Sequence, residues 1–452
     1  MVPAMSGPSA RSSAVFYRNP GGSLPVIVRG AGYELWDETG HRLIDLASGI
    51  STTASIGQGR TRVARAMAEQ AERLAFIHNS WVTNDRQEEL AVRYAALSPP
   101  GVEKVMFSSG GSEANELSLR IVRQYYLARD EPNRSKVLSL APSYHGATAG
   151  ALSVTGRKDI TGDYAPYLFE IGSIPPPATY RGPFRDFEPE EAAASAARFL
   201  VDAIEAEGPE AVAAFIAEPI SPSAGMVVPD PSYWQEVRRI CDHYGILLVA
   251  DEIVSGAGRC GTFLALDQFG VTADLSNLGK GLTGGYAPLA ATLVHRKVAD
   301  TIEAAGRGVS AVHTYSGNPI SCAVGSVVLD IIEEENLFDR AKAMGEVARE
   351  ILDTQLADAP MVGEVRGRGL LIGIEYVRSR ESREPLPAEA DLPRLLWDGM
   401  WRRGFLLRTL RHSGILVGDC TNFVPALTID ADAIEAAVAA LRETLFEVAA
   451  EL

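Results

Sequence analysis

One lysine in this sequence stands where lysines are seldom placed. In "NLGKGLTGGYAPLAA", residues 277 to 291, Lys280 is set among Gly279, Gly281, Gly284 and Gly285, ahead of a proline. Most lysines lie on solvated helix faces, where glycine is costly, so an amine on a glycine-shaped loop has one defined point to reach. Asp251 closes the apolar run "ILLVAD". An acid there is expensive to leave unpaired, and opposite a heteroaromatic nitrogen it keeps that nitrogen protonated. The stretch "FSSGGSEANELSLRIVRQYY" ends a strand at Ser108–Ser109, passes two glycines and reaches Ser112, after which Ala114, Leu117, Ile121 and Tyr125 recur at helical spacing. Ser112 reads as the helix N-cap, and the N–H groups and dipole of that helix start make an anion site suited to phosphate. Tyr144 and His145, in "SYHGAT", follow another apolar run, where a ring can be stacked and hydrogen-bonded.

Taken singly, each feature has a plainer explanation: a capped helix, a packed aromatic, a solvated lysine. Taken together, an amine, a phosphate site, a stacking aromatic and a buried acid have one economical reading. Lys280 forms a Schiff base with pyridoxal phosphate, whose aldehyde, ring nitrogen and phosphate require those partners. Gly256, Gly258 and Gly261 also spell GxGxxG after a strand. The continuation "TFLALDQFG" makes no convincing crossover helix and no early βαβ unit frames it, so a dinucleotide site is not supported.

These residues need a scaffold. The runs 104–109, 136–143, 213–220, 246–253 and 289–294 are short and nearly all apolar, as strands of a buried parallel sheet are. Helical stretches at 113–129, 189–206 and 231–244 separate them. The alternation predicts a doubly wound, mostly parallel α/β sheet, whose ligands sit beyond the carboxyl ends of the strands. From about residue 333 the texture changes to α+β, with "LFDRAKAMGEVAREILDTQL", the strand 370–376 and a closing helix. The strand hairpin expected in 26–49 joins that part. The expected division is an N-terminal segment 1–60, a large domain 61–332 and a small domain 333–452 built with the help of both termini.

A net charge of −16 argues against nucleic acid or an anionic membrane as partner. No apolar run approaches the roughly 20 residues of a membrane span, and "MVPAMSGPSARSSAVFY" lacks the apolar centre of a signal peptide. Cys241, Cys260, Cys322 and Cys420 show neither metal nor disulfide spacing, so a reducing cytoplasm is the expected location and no metal is called for.

The chain resembles the class III aminotransferases, fold-type-I pyridoxal-phosphate enzymes. The resemblance runs from about residue 26 to the C-terminus and rests on "SGGSEANE", "SYHGATAGALSVTG", "AEPISPSAGMVVP", "ADEIVSGAGRCG", "LGKGLTGGYAPLAA" and "HTYSGNPISCA" in the family's order. It implies that Lys280 is the Schiff-base lysine and proton shuttle, that Gly111 and Ser112 hold the phosphate, and that Tyr144 stacks on the ring with His145 beside it. It further implies that Ile253 packs the opposite ring face, that Asp251 bonds the ring nitrogen, and that Glu218 lies near the ring hydroxyl. Thr314 would reach the cofactor phosphate of a partner subunit, making the active unit a homodimer. In "GFLLRTLRHSG", Arg408 best matches the family's carboxylate-binding arginine, with Arg411 close enough to compete. The chain departs from the pattern in "SGISTTAS", where Ser51 replaces a frequent aromatic residue, and in "IGQG", where Gln58 replaces a histidine. The small polar Ser51 suggests an enlarged pocket mouth, with Trp81 either lining it or buried in the core. The expected reaction is transamination between an amino acid or amine donor and a carbonyl acceptor, such as an aminosugar aldehyde of secondary metabolism. Elimination, epimerisation or aminomutase chemistry on the same cofactor is the alternative.

Overall fold

The computed structural model describes residues 14–17, 24–310 and 313–452. Most of the leading stretch 1–17, read above for its lack of a signal peptide, lies outside the described residues. Near the N-terminus, strands β1 (Ile27–Ala31), β2 (Glu34–Asp37) and β3 (Arg42–Asp45) form an antiparallel ladder.

Next come β4 (Val102–Ser108), β5 (Lys136–Leu140), β6 (Gly172–Ile174), β7 (Val212–Ala217), β8 (Leu247–Asp251), β9 (Leu275–Leu278) and β10 (Ala290–His295). They make one sheet in the order β4-β10-β9-β8-β7-β5-β6. The links β6–β5–β7–β8–β9 are parallel, and β10 is antiparallel to both β9 and β4. Hence β4 and β9 point the same way, and the carboxyl ends of β4, β5, β7, β8 and β9 share one edge.

Strand β7, "VAAFIA", is buried along its whole length. Its Phe215 and Ala217 pack with Trp234 and Leu200, while Ala214 and Ile216 pack with Leu117 and Ile121. Because strand side chains alternate between faces, this places helices Pro189–Glu207 and Pro231–Tyr244 on one side and Gly111–Ala128 on the other, as the apolar runs predict. Helix Pro231–Tyr244 has local reasons to stand where it does. Asp230 caps it by accepting from Ser232 N at 2.9 Å, Pro231 fills the first turn, and Gly245 ends it at φ 66°.

The C-terminal part holds β11 (Val362–Arg368), β12 (Leu371–Tyr376), β13 (Phe405–Leu406), β14 (Arg408–His412) and β15 (Gly418–Phe423). The antiparallel sheet β11-β12-β15-β14 packs through Ile372, Ile374 and Tyr376 against Leu352, Leu396 and Leu441 of the surrounding helices. Strand β13 pairs in parallel with β3, Phe405 opposite Ile44, so both ends of the chain build the smaller unit, as expected. The short strands β6 and β9 are absent from the sequence reading. Strand β9 is "LSNL", whose serine and asparagine interrupt an apolar pattern. No described helix is long and apolar enough to cross a membrane, and the four cysteines are buried free thiols.

Candidate active site

Four of the strands that end on the common edge deliver chemically useful side chains. Strand β8 ends at Asp251, β7 is followed by Glu218, β5 leads to Tyr144 and His145, and β9 is followed by Lys280.

Lys280 has φ 42°, in the left-handed region that a side-chain-bearing residue enters at a cost. Gly279 before it and Gly284 and Gly285 after it, the latter at φ 58° and 86°, let the chain turn tightly enough to hold that conformation. The backbone is thus bent to aim one amine. Burial pulls the Lys280 ammonium down from its usual range, and the Arg408 guanidinium acts in the same direction, while Asp251 and Glu218 oppose it. Those three groups are the ones whose charge bears on the amine.

Asp251 is 4% exposed. Its Oδ2 meets His145 Nδ1 at 2.7 Å and accepts from Asn115 Nδ2 at 2.9 Å; its Oδ1 accepts from Ile253 N at 3.1 Å. His145 Nε2 is buried without a hydrogen-bond partner among the described residues. Glu218 accepts from Ser221 Oγ at 2.7 Å and Ser223 Oγ at 3.1 Å, and burial pushes its carboxyl up to about 7.

The helix Gly111–Ala128 begins one step before Ser112. Its N-cap is Gly110, with extended backbone, and no side chain caps it. Ser112 is therefore not the N-cap that the sequence suggests, because the two glycines let the chain enter the helix earlier. Its Oγ instead accepts from Ala147 N at 3.0 Å, tying the loop after Tyr144 and His145 to the helix start. A Cβ added at Gly110 would meet nothing within 4 Å, so this helix start faces open space, and the first N–H groups of a helix have no intrahelical partners. Ile253 lies between the two glycine turns: a Cβ at Gly111 or Gly279 would come within 3.1 Å of its side chain.

The two arginines are separated by strand register. Arg411 lies opposite Asp419 and donates to it at 2.9 Å, with a second bond to the Leu386 carbonyl at 2.8 Å. Arg408 is three residues earlier on β14 and so on the other face, where it acts on Lys280 and donates to the Ile50 carbonyl at 2.9 Å. Ile50 belongs to the segment Ser48–Thr52, whose Gly49 and Ile50 have φ 71° and 66°. Asp45 shapes this segment by accepting from Ala47 N at 2.9 Å and Gly49 N at 2.6 Å. Ser51 is exposed there, next to the carbonyl that Arg408 holds.

Two predicted residues stand apart. Thr314 is exposed in a turn. Trp81 is 95% exposed, which excludes the core position considered for it and brings it to none of the groups above. Gln58 pairs with Gly32 through its backbone and serves the N-terminal ladder. Gly258 and Gly261 pack against Phe338 and Lys342, so the GxGxxG match is a structural turn. Asn115 is the residue that motif reasoning passed over; its signal is an amide flanking the apolar stripe of a buried helix.

Residues 17–445 match the family described as Aminotransferase class-III. The chain belongs to that family. It is similar to putrescine–pyruvate aminotransferase of Pseudomonas aeruginosa, 32% identical over 428 residues that cover 94% of this chain and 91% of the relative. Among solved structures, an (S)-enantioselective omega-transaminase from Thermomicrobium roseum is 36% identical with a TM-score of 0.89, covering 94% of this chain and 93% of that one. An amine transaminase from an uncultivated Pseudomonas species, in its PLP-bound form, has a TM-score of 0.90 at 35% identity, covering 97% and 100%. This class III aminotransferase has the fold-type-I architecture, and its cofactor is pyridoxal phosphate. The residues on the strand edge suit that group: an aimed amine, a buried carboxylate with an orphaned imidazole nitrogen beside it, and a helix start opening onto free space.

Proposed function

We propose that the reaction passes through the strand-edge cluster, with Lys280 as the catalytic amine and proton carrier. The observation that carries this reading is the strained, half-buried Lys280, on whose amine Asp251, Glu218 and Arg408 act. Bound pyridoxal phosphate supplies an aldehyde that links to amines and a ring that takes up the electron pair left when the donor's Cα–H bond breaks. Lys280, its ammonium pulled down by burial, is the base that accepts the Cα proton. Asp251 holds the ring nitrogen, with His145 and Asn115 fixing its carboxylate. Gly111 and Ser112 hold the phosphate at the helix N-terminus. Tyr144 covers one ring face and Ile253 the other, while Glu218 stands on the side of the ring hydroxyl.

Arg408 takes the donor's carboxylate, and it swings back to the Ile50 carbonyl when the substrate has none. The acceptor is a bulky, hydroxylated carbonyl compound of the aminosugar-aldehyde type; the exposed Ser51 beside Ile50 supports a wide, polar mouth. The active unit is a homodimer working in the cytoplasm, Thr314 contacting the phosphate site of the second copy. The exposed Thr314 and Tyr315, with Phe76 edge-on to Tyr315, support that contact surface. The domain limits at 60/61 and 332/333 belong to the same reading.

The test is absorbance of the holoenzyme with one amine donor and no acceptor. Conversion of the cofactor to its pyridoxamine form supports transamination through this site. A bound cofactor that never converts with glutamate, alanine or a polyamino sugar would favour elimination or epimerisation.

A further inference from the structure

Behind Asp251, Asn115 opens a file of uncharged side chains whose other members have no role above. Asn115 Nδ2 donates to Asp251 Oδ2 at 2.9 Å and to the His145 backbone carbonyl at 2.6 Å. A carbonyl only accepts, so the nitrogen end of the Asn115 amide is the one turned toward Asp251. Its oxygen end then needs a donor, and Asn277 Nδ2 provides one at 2.7 Å. That turns Asn277 Oδ1 the other way, where Ser118 Oγ and Thr292 Oγ1 both donate at 2.8 Å. Thr292 Oγ1 also lies 3.3 Å from the Ala114 carbonyl, the longer of its contacts. Asn115 is 1% exposed and the other three are 0% exposed. One backbone carbonyl thus sets the direction of every link, and every proton points down the file toward Asp251.

We infer that Asn115, Asn277, Ser118 and Thr292 are a positioning relay that holds Asp251 as an oriented carboxylate, so that the proton it shares with the cofactor's ring nitrogen stays on nitrogen. The inference rests on the reading of Asp251 given above. Hydrogen bonds aligned head to tail in a low-dielectric interior polarise one another, and bonds to an ionised acceptor are the strong ones. If the donors behind Asp251 weaken, its carboxylate becomes the better base and draws the shared proton away from the ring. Burying four polar side chains between a helix and two strands is otherwise expensive. An apolar filling of the same volume would pack the sheet equally well while leaving Asp251 with fewer donors. His145 is the charged-type partner of Asp251, and Glu218 and Lys280 are the other titratable groups near it. The relay adds orientation without adding charge to that cluster.

The experiment uses holoenzyme loaded with pyridoxal phosphate labelled with 15N in the ring, read by NMR, alongside the dissociation constant of the cofactor. Ser118→Ala with Thr292→Val removes both terminal donors and leaves His145 and Asp251 in place. In that variant the ring-nitrogen resonance is expected to move toward the unprotonated position, with cofactor binding about tenfold weaker. Thr292→Val alone should move it less in the same direction, and it carries the test if the double variant does not fold. Thr292→Ser should restore the wild-type position. Asp251→Asn separates the two layers of the argument. If it leaves the ring nitrogen protonated, the reading of Asp251 fails and the relay with it. If Asp251→Asn abolishes protonation while the hydroxyl variants keep the wild-type resonance, the relay is overturned. The four residues are then packing only, whatever happens to the melting temperature.

Discussion

Glu218 makes a measurable link between the site and stability. Glu218 is 6% exposed, and burial raises its carboxyl from 4.5 to about 7. Between those values the folded chain keeps a proton that the unfolded chain has released. Stability therefore falls as pH rises through the window, and the benefit is complete below the unfolded value. The shift spans about 2.5 pH units, and at 1.36 kcal/mol per unit Glu218 can cost up to about 3 kcal/mol by neutral pH. The Ser221 and Ser223 hydroxyls favour the ionised form and moderate this loss. Glu252, held by the Leu266 N–H at 2.8 Å and by Ser255, is raised to about 7 by the same cause, so the wild-type slope holds both contributions. Glu218→Gln removes one titration and keeps the shape of the side chain. Comparing cofactor-free wild type and variant by denaturant unfolding at pH 5, 6 and 7, the variant should lose stability less steeply. The difference in slope should reach about 1.4 kcal/mol per pH unit. Equal slopes would show that Glu218 is ionised throughout the range, and the argument from burial would fail.

The remaining predictions concern the site directly. Lys280→Ala should fold, bind cofactor without the visible band of a lysine-linked aldehyde, and lose turnover; undiminished activity would refute the assignment. Arg408→Ala should lower kcat/KM for carboxylate-bearing donors about 10- to 100-fold, the worth of hydrogen bonds to a charged group, while a simple primary amine reacts as before. Gly146 has φ 146°, and a Cβ there would sit 2.8 Å from Ser112 Cα. Gly146→Ala should therefore cost about 1–3 kcal/mol and weaken cofactor binding, read by melting temperature and dissociation constant. Ser51→Trp should reduce turnover of bulky acceptors about tenfold or more and spare small ones; equal use of both would remove the pocket-mouth argument.

The contrast between Arg408 and Arg411 shows what a sequence can carry about such a site. Lys280, Asp251 and His145 are legible because their types clash with local context, an amine among glycines or polar groups at the ends of apolar strands, whereas Glu218 is reached only through the family resemblance. The elements that carry Asp251 and Glu218 are legible for the same reason, since β7 and β8 bury both faces and read as unbroken apolar runs. The arginines offer no such clash. Both sit in "LLRTLRHSG", and the difference lies in what each meets across the fold: Asp419 and Leu386 for Arg411, Ile50 and Lys280 for Arg408. Ile50 is 358 residues from Arg408 in the chain, so no local pattern records that contact. Asn115 and Asn277 fail to announce themselves for a related reason. A polar residue in a buried helix or in "LSNL" reads as a weak element until its partner, 162 residues away, is known. Side-chain type states which chemistry is available; long-range pairing decides where each copy of it is held, and Arg411, tied to Asp419, is the copy this fold turns away from Lys280.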